Sequence, residues 1–212
     1  MIQQLTLETP AAGLSTRPAA AGATRPLVIG LDMALITSGV AGSGWTDIIR
    51  SGNRRGEERL RYLVDAAASF YRAAHLALIE GAAYSMAKQI GHDEMSALRW
   101  MIRCDLHRRG IPFAVVNPDS RTIYATGKAR WKHPETGRKL TAAEVKGMVR
   151  TAVQERYGVP CEGPGRYDQA DAYVLAEMGQ DWLGFPAVGM PPTHRRALDG
   201  VQWPENVPAV AR

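Results

Sequence analysis

The sequence predicts an α/β fold, a mixed central β-sheet flanked by α-helices. Three observations lead there. Short apolar runs alternate with amphipathic stretches of helical period, glycines close to the first run mark hairpin turns, and two of the apolar runs end on a carboxylate. Leu27-Val28-Ile29-Gly30-Leu31 is a first strand, over 26–32, ending at Asp32. Residues 36–45 carry Gly39, Gly42 and Gly44 and read as one or two hairpin strands with tight turns. Over 57–71, Leu60, Leu63, Val64, Ala67 and Phe70 share one helical face. Residues 76–80 form a strand ending at Glu80, and 93–109 a helix with Met95, Leu98, Ile102 and Leu106 as its stripe. A strand follows over 112–117. Thr141 with Glu144 three residues on is a capping box, opening a helix that carries Val145, Met148, Val149, Ala152 and Val153. The last helix runs from 168 to about 182. Residues 1–25, small and rich in Pro and Gly, are expected to be a flexible leader, 26–182 the domain, and 183–212, with Pro186, Pro191, Pro192, Pro204 and Pro208, an irregular tail, either a strap or a disordered end.

At 212 residues one domain with a substantial core is the natural expectation. Lys and Arg number 26 against 21 Asp and Glu, a balance that suits an anionic partner such as nucleic acid and equally a basic protein without one. Two cysteines, Cys104 and Cys161, lie far apart with no zinc spacing, which argues against a disulfide framework or zinc site and suggests reduced thiols. No apolar stretch is long enough to span a bilayer and no signal-peptide order opens the chain, so a cytoplasmic location is expected. There is no P-loop, GxSxG or Cys/His dyad motif, and none of the five histidines has ligand spacing.

The chemistry sits in the acids. Carboxylates at the ends of buried elements are costly unless paired, protonated or bound to metal. Asp32 and Glu80 each end an apolar strand, and sites in open α/β sheets collect at the carboxyl ends of strands. On the last helix, Val174, Leu175, Met178 and Trp182 form the apolar stripe. One turn before them lies Asp171, and one step earlier Asp168, so both acids continue the core-facing stripe. Helix capping and the helix dipole would account for Asp168 and Asp171 separately, and a water-facing strand end for Asp32 or Glu80. Together, the four suggest one hard-cation site of oxygen ligands suited to Mg²⁺, with Mn²⁺ able to substitute. Two such ions about 4 Å apart activate water and stabilise a leaving oxygen in phosphodiester hydrolysis.

The order and spacing resemble the RuvC family of Holliday-junction resolvases, in the RNase H and retroviral-integrase superfamily. The resemblance is carried by Val28-Ile29-Gly30-Leu31-Asp32 with Ile36-Thr37-Ser38-Gly39-Val40-Ala41, by Leu78-Ile79-Glu80-Gly81, and by Tyr167-Asp168-Gln169-Ala170-Asp171-Ala172. It covers about residues 26–182. It implies an RNase H-like fold, a magnesium-dependent crossover junction endodeoxyribonuclease with Asp32, Glu80, Asp168 and Asp171 as catalytic metal ligands, a branched-DNA substrate and a homodimer. Met33 and Ala34 stand where the family usually has a Pro-Gly-like turn, and the 129–140 linker is longer and more basic than expected. These departures suggest a phage or mobile-element version. Cleavage of RNA–DNA hybrids or flaps, or binding without catalysis, are the alternatives on the same fold.

Lys128, Arg130, Trp131 and Lys132, then Arg138 and Lys139, place cations and an aromatic in one loop. They are expected to contact DNA, the cations at phosphates and Trp131 by stacking on an unpaired base; a solvated loop with Trp131 tucked onto the surface is the other reading. Lys146, on the following helix, is a candidate for the scissile phosphate, although a solvated lysine explains it too. Tyr84, Ser85 and His92 follow Glu80 in the region that approaches the junction centre in resolvases. The helix after Glu80, rich in Met and bearing Trp100, is the candidate dimer face. Two further arginine clusters, Arg50 to Arg61 and Arg99 to Arg109, are explained as well by solvated helix faces.

Overall fold

A computed structural model describes residues 25–82 and 91–207 of the chain. The expected leader, but for Arg25, and the candidate contacts Tyr84 and Ser85 lie outside the described residues. Five strands form one sheet in the order β3-β2-β1-β4-β5, with β1 at Val28–Asp32, β2 at Thr37–Gly42, β3 at Trp45–Arg50, β4 at Leu76–Glu80 and β5 at Phe113–Val116. The hairpins β1–β2 and β2–β3 are antiparallel, while β4 and β5 run parallel to β1. The parallel strands are joined by α1 (Gly56–Tyr71) and α2 (His92–Arg108), the crossovers that parallel pairing requires.

Strand periodicity sorts the sheet into two faces. Ile29 and Leu31 of β1 with Ala77 and Ile79 of β4 pack under α1 and α2 against Leu63, Ala67, Leu98 and Ile102. Val28, Leu76, Leu78, Ala114 and Val116 point the other way, toward α3 (Pro118–Thr126), α4 (Ala142–Tyr157) and α5 (Arg166–Trp182). The same alternation sends Asp32 and Glu80, the last residues of β1 and β4, to the α5 side. Leu31 pairs with Ile79, so the two acids stand side by side at the carboxyl edge.

Two glycines set how closely α5 approaches. A Cβ on Gly30 would meet the carbonyl oxygen of Ala172, and one on Gly39 the carbonyl oxygen of Asp168. The helix backbone therefore lies directly on β1 and β2, and its first turn is held at the end of the sheet that carries Asp32.

The helix at α3 was not legible as an element, though its punctuation is regular. Asn117 accepts a hydrogen bond from the Asp119 amide, Pro118 opens the helix, and Gly127 closes it with φ 85°. The capping box of α4 forms as expected, with Thr141 and Glu144 bonding reciprocally. The segment after Trp182, described to residue 207, is largely irregular. It contains a short helix, α6 (Pro192–Arg195), and a 3₁₀ turn at Arg196–Leu198, and it buries Ala197, Leu198 and Val201 in the α5-side core. Trp203 stacks on Trp182 with ring centroids 4.5 Å apart. Prolines break regular structure without preventing burial, so this irregular segment docks as a strap. Among the described residues no helix is long and apolar enough to cross a membrane.

Candidate acidic site and its basic neighbours

The four acids come from β1, β4 and α5 and meet at the carboxyl edge of the sheet. Asp32 and Asp171 are buried, and Glu80 and Asp168 partly so. Burial raises the Asp32 carboxyl well above the ordinary carboxylate range; nearby Glu80 and Asp168 add to this, and Arg121 and Lys146 oppose it. Asp168 is raised too, by burial first, against the pull of Lys146.

Two cations enter the cluster, and one was missed in the sequence. Arg121, on the first turns of α3, lies with Nε 2.7 Å from Glu80 Oε1 and pairs through Nη1 with Asp171 Oδ1. Its side chain is only 8% exposed. Lys146, from α4, sits 3.6 Å from Asp168 Oδ1 and 3.7 Å from Asp171 Oδ2. The signal for Arg121 was present in the Asn117-Pro118 helix start directly after a strand, which brings the next helical turn back over that strand's end. The turn after Asp32 lacks a Pro-Gly pair and closes differently: Ser38 Oγ accepts from the Ala34 amide at 3.0 Å and donates to the Ala34 carbonyl at 2.9 Å.

The donor set is all oxygen, which suits a hard divalent cation. Asp171 Oδ2 and Glu80 Oε1 are buried without a hydrogen-bond donor of proper geometry, as are Nε and Nη1 of Arg121. Buried oxygens without donors are what a cation would satisfy. As placed, however, no three His, Cys, Asp or Glu side chains among the described residues converge tightly enough to enclose a metal ion. Glu80 and Asp171 turn toward Arg121 instead. The oxygen donors suit a hard ion by their chemistry, but the side chains as they stand do not gather round one, and the Arg121 guanidinium occupies the space between Glu80 and Asp171.

No protein-family model and no curated protein matches the chain. Among solved structures it is similar to RuvC of Thermus thermophilus, with a TM-score of 0.53 at 12% identity over 75% of this chain and 97% of that one. It is also similar to T. thermophilus RuvC in complex with Holliday junction substrate, with a TM-score of 0.50 at 13% identity over 76% and 97%. The chain has a RuvC-like fold. The mixed five-stranded sheet flanked by helices is the RNase H-like architecture expected from the sequence.

On this RuvC-like frame the basic loop after α3 is partly folded. Lys132 bridges to Lys139, and the Leu140 amide donates to the Trp131 carbonyl at 2.9 Å, making a small hairpin. A groove of about 400 Å³ lies between this hairpin, α3 and the start of α4; Asp119, Arg121, Arg130, Trp131, Lys139 and Lys146 line it, and none of the four acids does. Trp131 is half-buried, and its Nε1 donates to Thr126 Oγ1 at 3.0 Å and to the Lys128 carbonyl at 3.2 Å. Its ring edge is thus tied to the loop, with the Lys128 ammonium 5.1 Å from the ring centre. Arg138 is bound in a fork to Glu144, at 2.9 and 2.6 Å, and so braces the capping box. Lys128, Arg130 and Lys132 are exposed. Of the other arginines, Arg59 pairs with Glu94 between α1 and α2, Arg54 stacks on Tyr62, Arg103 lies over Trp100, and Arg108 and Arg109 both hold Asp105.

Proposed function

We propose that the protein is a metal-dependent, structure-selective endonuclease that resolves four-way DNA junctions by paired nicks. One observation carries the reading: Asp32, Glu80, Asp168 and Asp171, from three separate elements, stand at the carboxyl edge of a RuvC-like sheet beside Arg121 and Lys146. The similar T. thermophilus RuvC has a structure in complex with Holliday junction substrate, which favours branched DNA over RNA–DNA hybrid.

In this reading Asp32, Glu80, Asp168 and Asp171 would hold divalent metal, Mg²⁺ or Mn²⁺, which would lower the pKa of a water nucleophile and neutralise charge on the phosphodiester. Lys146, 42% exposed and beside Asp168, orients a non-bridging phosphate oxygen at the mouth of the site. The groove under Trp131 leads the strand to it, and Lys128, Arg130, Lys132 and Lys139 neutralise flanking phosphates. A two-fold substrate cut twice calls for two sites, hence two subunits. Trp100, 61% exposed on α2, opposite the acids across the sheet, is the candidate anchor of that contact.

The deciding experiment is incubation of the protein with a synthetic mobile four-way junction, with and without Mg²⁺, beside matched duplex, flap and RNA–DNA hybrid. Symmetric metal-dependent nicks in the junction are expected. Junction binding with no cleavage in either metal would overturn the enzymatic reading, and preferred hybrid cleavage would overturn the substrate.

A further inference from the structure

Strand order places the acids in the middle of an edge. In β3-β2-β1-β4-β5, Asp32 and Glu80 end the third and fourth strands. The cationic groove is built on α3, which follows β5 directly, and on α4. The start of β2 and the end of β3 stand on the other side of Asp32. Five strands about 4.8 Å apart make an edge of about 19 Å, the length of roughly six nucleotides of one strand. A DNA strand that reaches the acids from the groove therefore leaves them toward β2 and β3.

What stands there is an isoleucine in water. Ile36 is 71% exposed, and only it and Trp100 are exposed large apolar side chains among the described residues. Ile36 lies in the turn after Asp32, and that turn is braced. Met33 is buried, Leu35 packs on the core under α1 and α2, and Ser38 Oγ holds both the amide and the carbonyl of Ala34. The Ile36 carbonyl accepts from the Ser51 amide at 3.0 Å. The turn is thus tied inward while one aliphatic side chain is held out. Cations flank it. Arg50 pairs across the strands with Thr37, next to Ile36, and Arg55 precedes α1 at the same edge; both are exposed. Arg54, between them, is engaged by the Ser51 carbonyl, the Tyr62 ring and Glu58. A rigidly held aliphatic tip between arginines is the combination with which proteins part a base step while holding its phosphates.

We propose that Ile36 is a wedge for DNA: it enters the stack at one base step beside the acids, and Arg50 and Arg55 hold phosphates next to that step. This rests on the reading of the protein as a junction-cutting enzyme, and it adds a second contact surface on the far side of Asp32 from the groove. It also supplies a source of structure selectivity. Parting a stacked step costs free energy, and least where pairing is already interrupted, so the wedge favours a branch point over continuous duplex.

The test needs neither metal nor cleavage. The full chain is titrated onto a four-way junction and a matched duplex carrying 2-aminopurine, a base that brightens on unstacking, at successive positions. Wild type is expected to brighten one step at the junction. Ile36→Ser should lose that signal and weaken junction binding about tenfold, with duplex binding and melting temperature unchanged, while Ile36→Leu should keep the signal. The Arg50→Ala, Arg55→Ala double variant should weaken both DNAs and lower the salt slope by about 1.8, two phosphate contacts. No brightened step, a signal that survives Ile36→Ser, or an unchanged salt slope in the double variant would overturn the proposal and leave the junction reading intact. A change of oligomeric state in Ile36→Ser, read by sedimentation, would assign Ile36 to a contact between copies and overturn it as well. A wild type that binds the junction no more tightly than the duplex would overturn the junction reading itself, and the wedge with it.

Discussion

The Cα of Gly39 lies against the backbone carbonyl of Asp168, with no room for a methyl group between β2 and α5. This contact holds the first turn of α5 on the sheet and sets the distance from Asp168 and Asp171 to Asp32. Gly39→Ala is expected to push α5 outward and cost about 2 kcal/mol or more through overpacking against backbone that cannot yield. Gly147, on α4 with open space at its Cβ position, is the control. Gly147→Ala should stabilise by about 0.5–1 kcal/mol, since alanine is the better helix former. Thermal melts of the two variants should move in opposite directions, and only Gly39→Ala should weaken Mn²⁺ binding.

Asp32 and Asp171 should respond in opposite directions in metal-free buffer. Asp32 carries a carboxyl raised well above its unfolded value, so it opposes folding increasingly as pH rises from the unfolded value, with the full cost reached once the pH exceeds the raised one. Asp32→Asn should therefore raise the melting temperature at neutral pH, with a gain that shrinks as pH falls through the raised titration and is gone near the unfolded value, about 4. Asp171→Asn removes half of the pairing of buried Arg121 and should lower stability, by about 3 kcal/mol. A rise in both variants would mean that Arg121 does not depend on Asp171, and a fall in both that ionised Asp32 does not oppose folding.

All four substitutions, Asp32→Asn, Glu80→Gln, Asp168→Asn and Asp171→Asn, should abolish junction cleavage while junction binding persists. Each removes charge at nearly constant volume. Near wild-type cleavage in Mg²⁺ by any one of them would strike that residue from the site.

On the opposite face, Asp105 accepts from Tyr71 and is held by Arg108 and Arg109. Burial alone would raise its carboxyl, but these hydrogen bonds outweigh it and bring it down to about 2. A depressed carboxyl stabilises above its unfolded pKa and loses that contribution as pH falls through the folded value. Asp105→Asn should cost about 2 kcal/mol at pH 7, and the difference from wild type should close between about pH 4 and 2. A difference independent of pH over that range would show that the packing of Tyr71, not the charge, is what Asp105 supplies.

In the loop after α3, replacing Lys128, Arg130 and Lys132 with Ala should weaken binding to junction and duplex alike and reduce the salt slope by about 0.9 per lost phosphate contact. Arg138→Ala should leave DNA affinity unchanged, because Glu144 already holds that guanidinium. Trp131→Ala should weaken both DNAs equally, since its indole is tied into the loop by Thr126 and Lys128. A loss confined to the junction would instead assign its face a stacking role at unpaired bases.

By itself the sequence determined the strand and helix order and the ends of the apolar runs where the acids stand. These are local properties: period-2 and period-3.6 patterns, a capping box, glycines in turns. They were enough to place Asp32 and Glu80 at strand ends and Asp168 and Asp171 on one helix face. Only the tertiary structure decided what those acids meet. Arg121 is 41 residues from Glu80 and 50 from Asp171 in the chain, and Lys146 comes from another helix again, so no spacing rule connects them. The same holds for the chain after Trp182, where the prolines signal a break in regular structure while the burial of Leu198 and Val201 depends on a surface formed by α3 and α5. Local pattern says which way a side chain faces. Its partner is chosen by how the helices cross the sheet, and here that crossing is set by two glycines, Gly30 and Gly39, which let α5 lie against bare backbone.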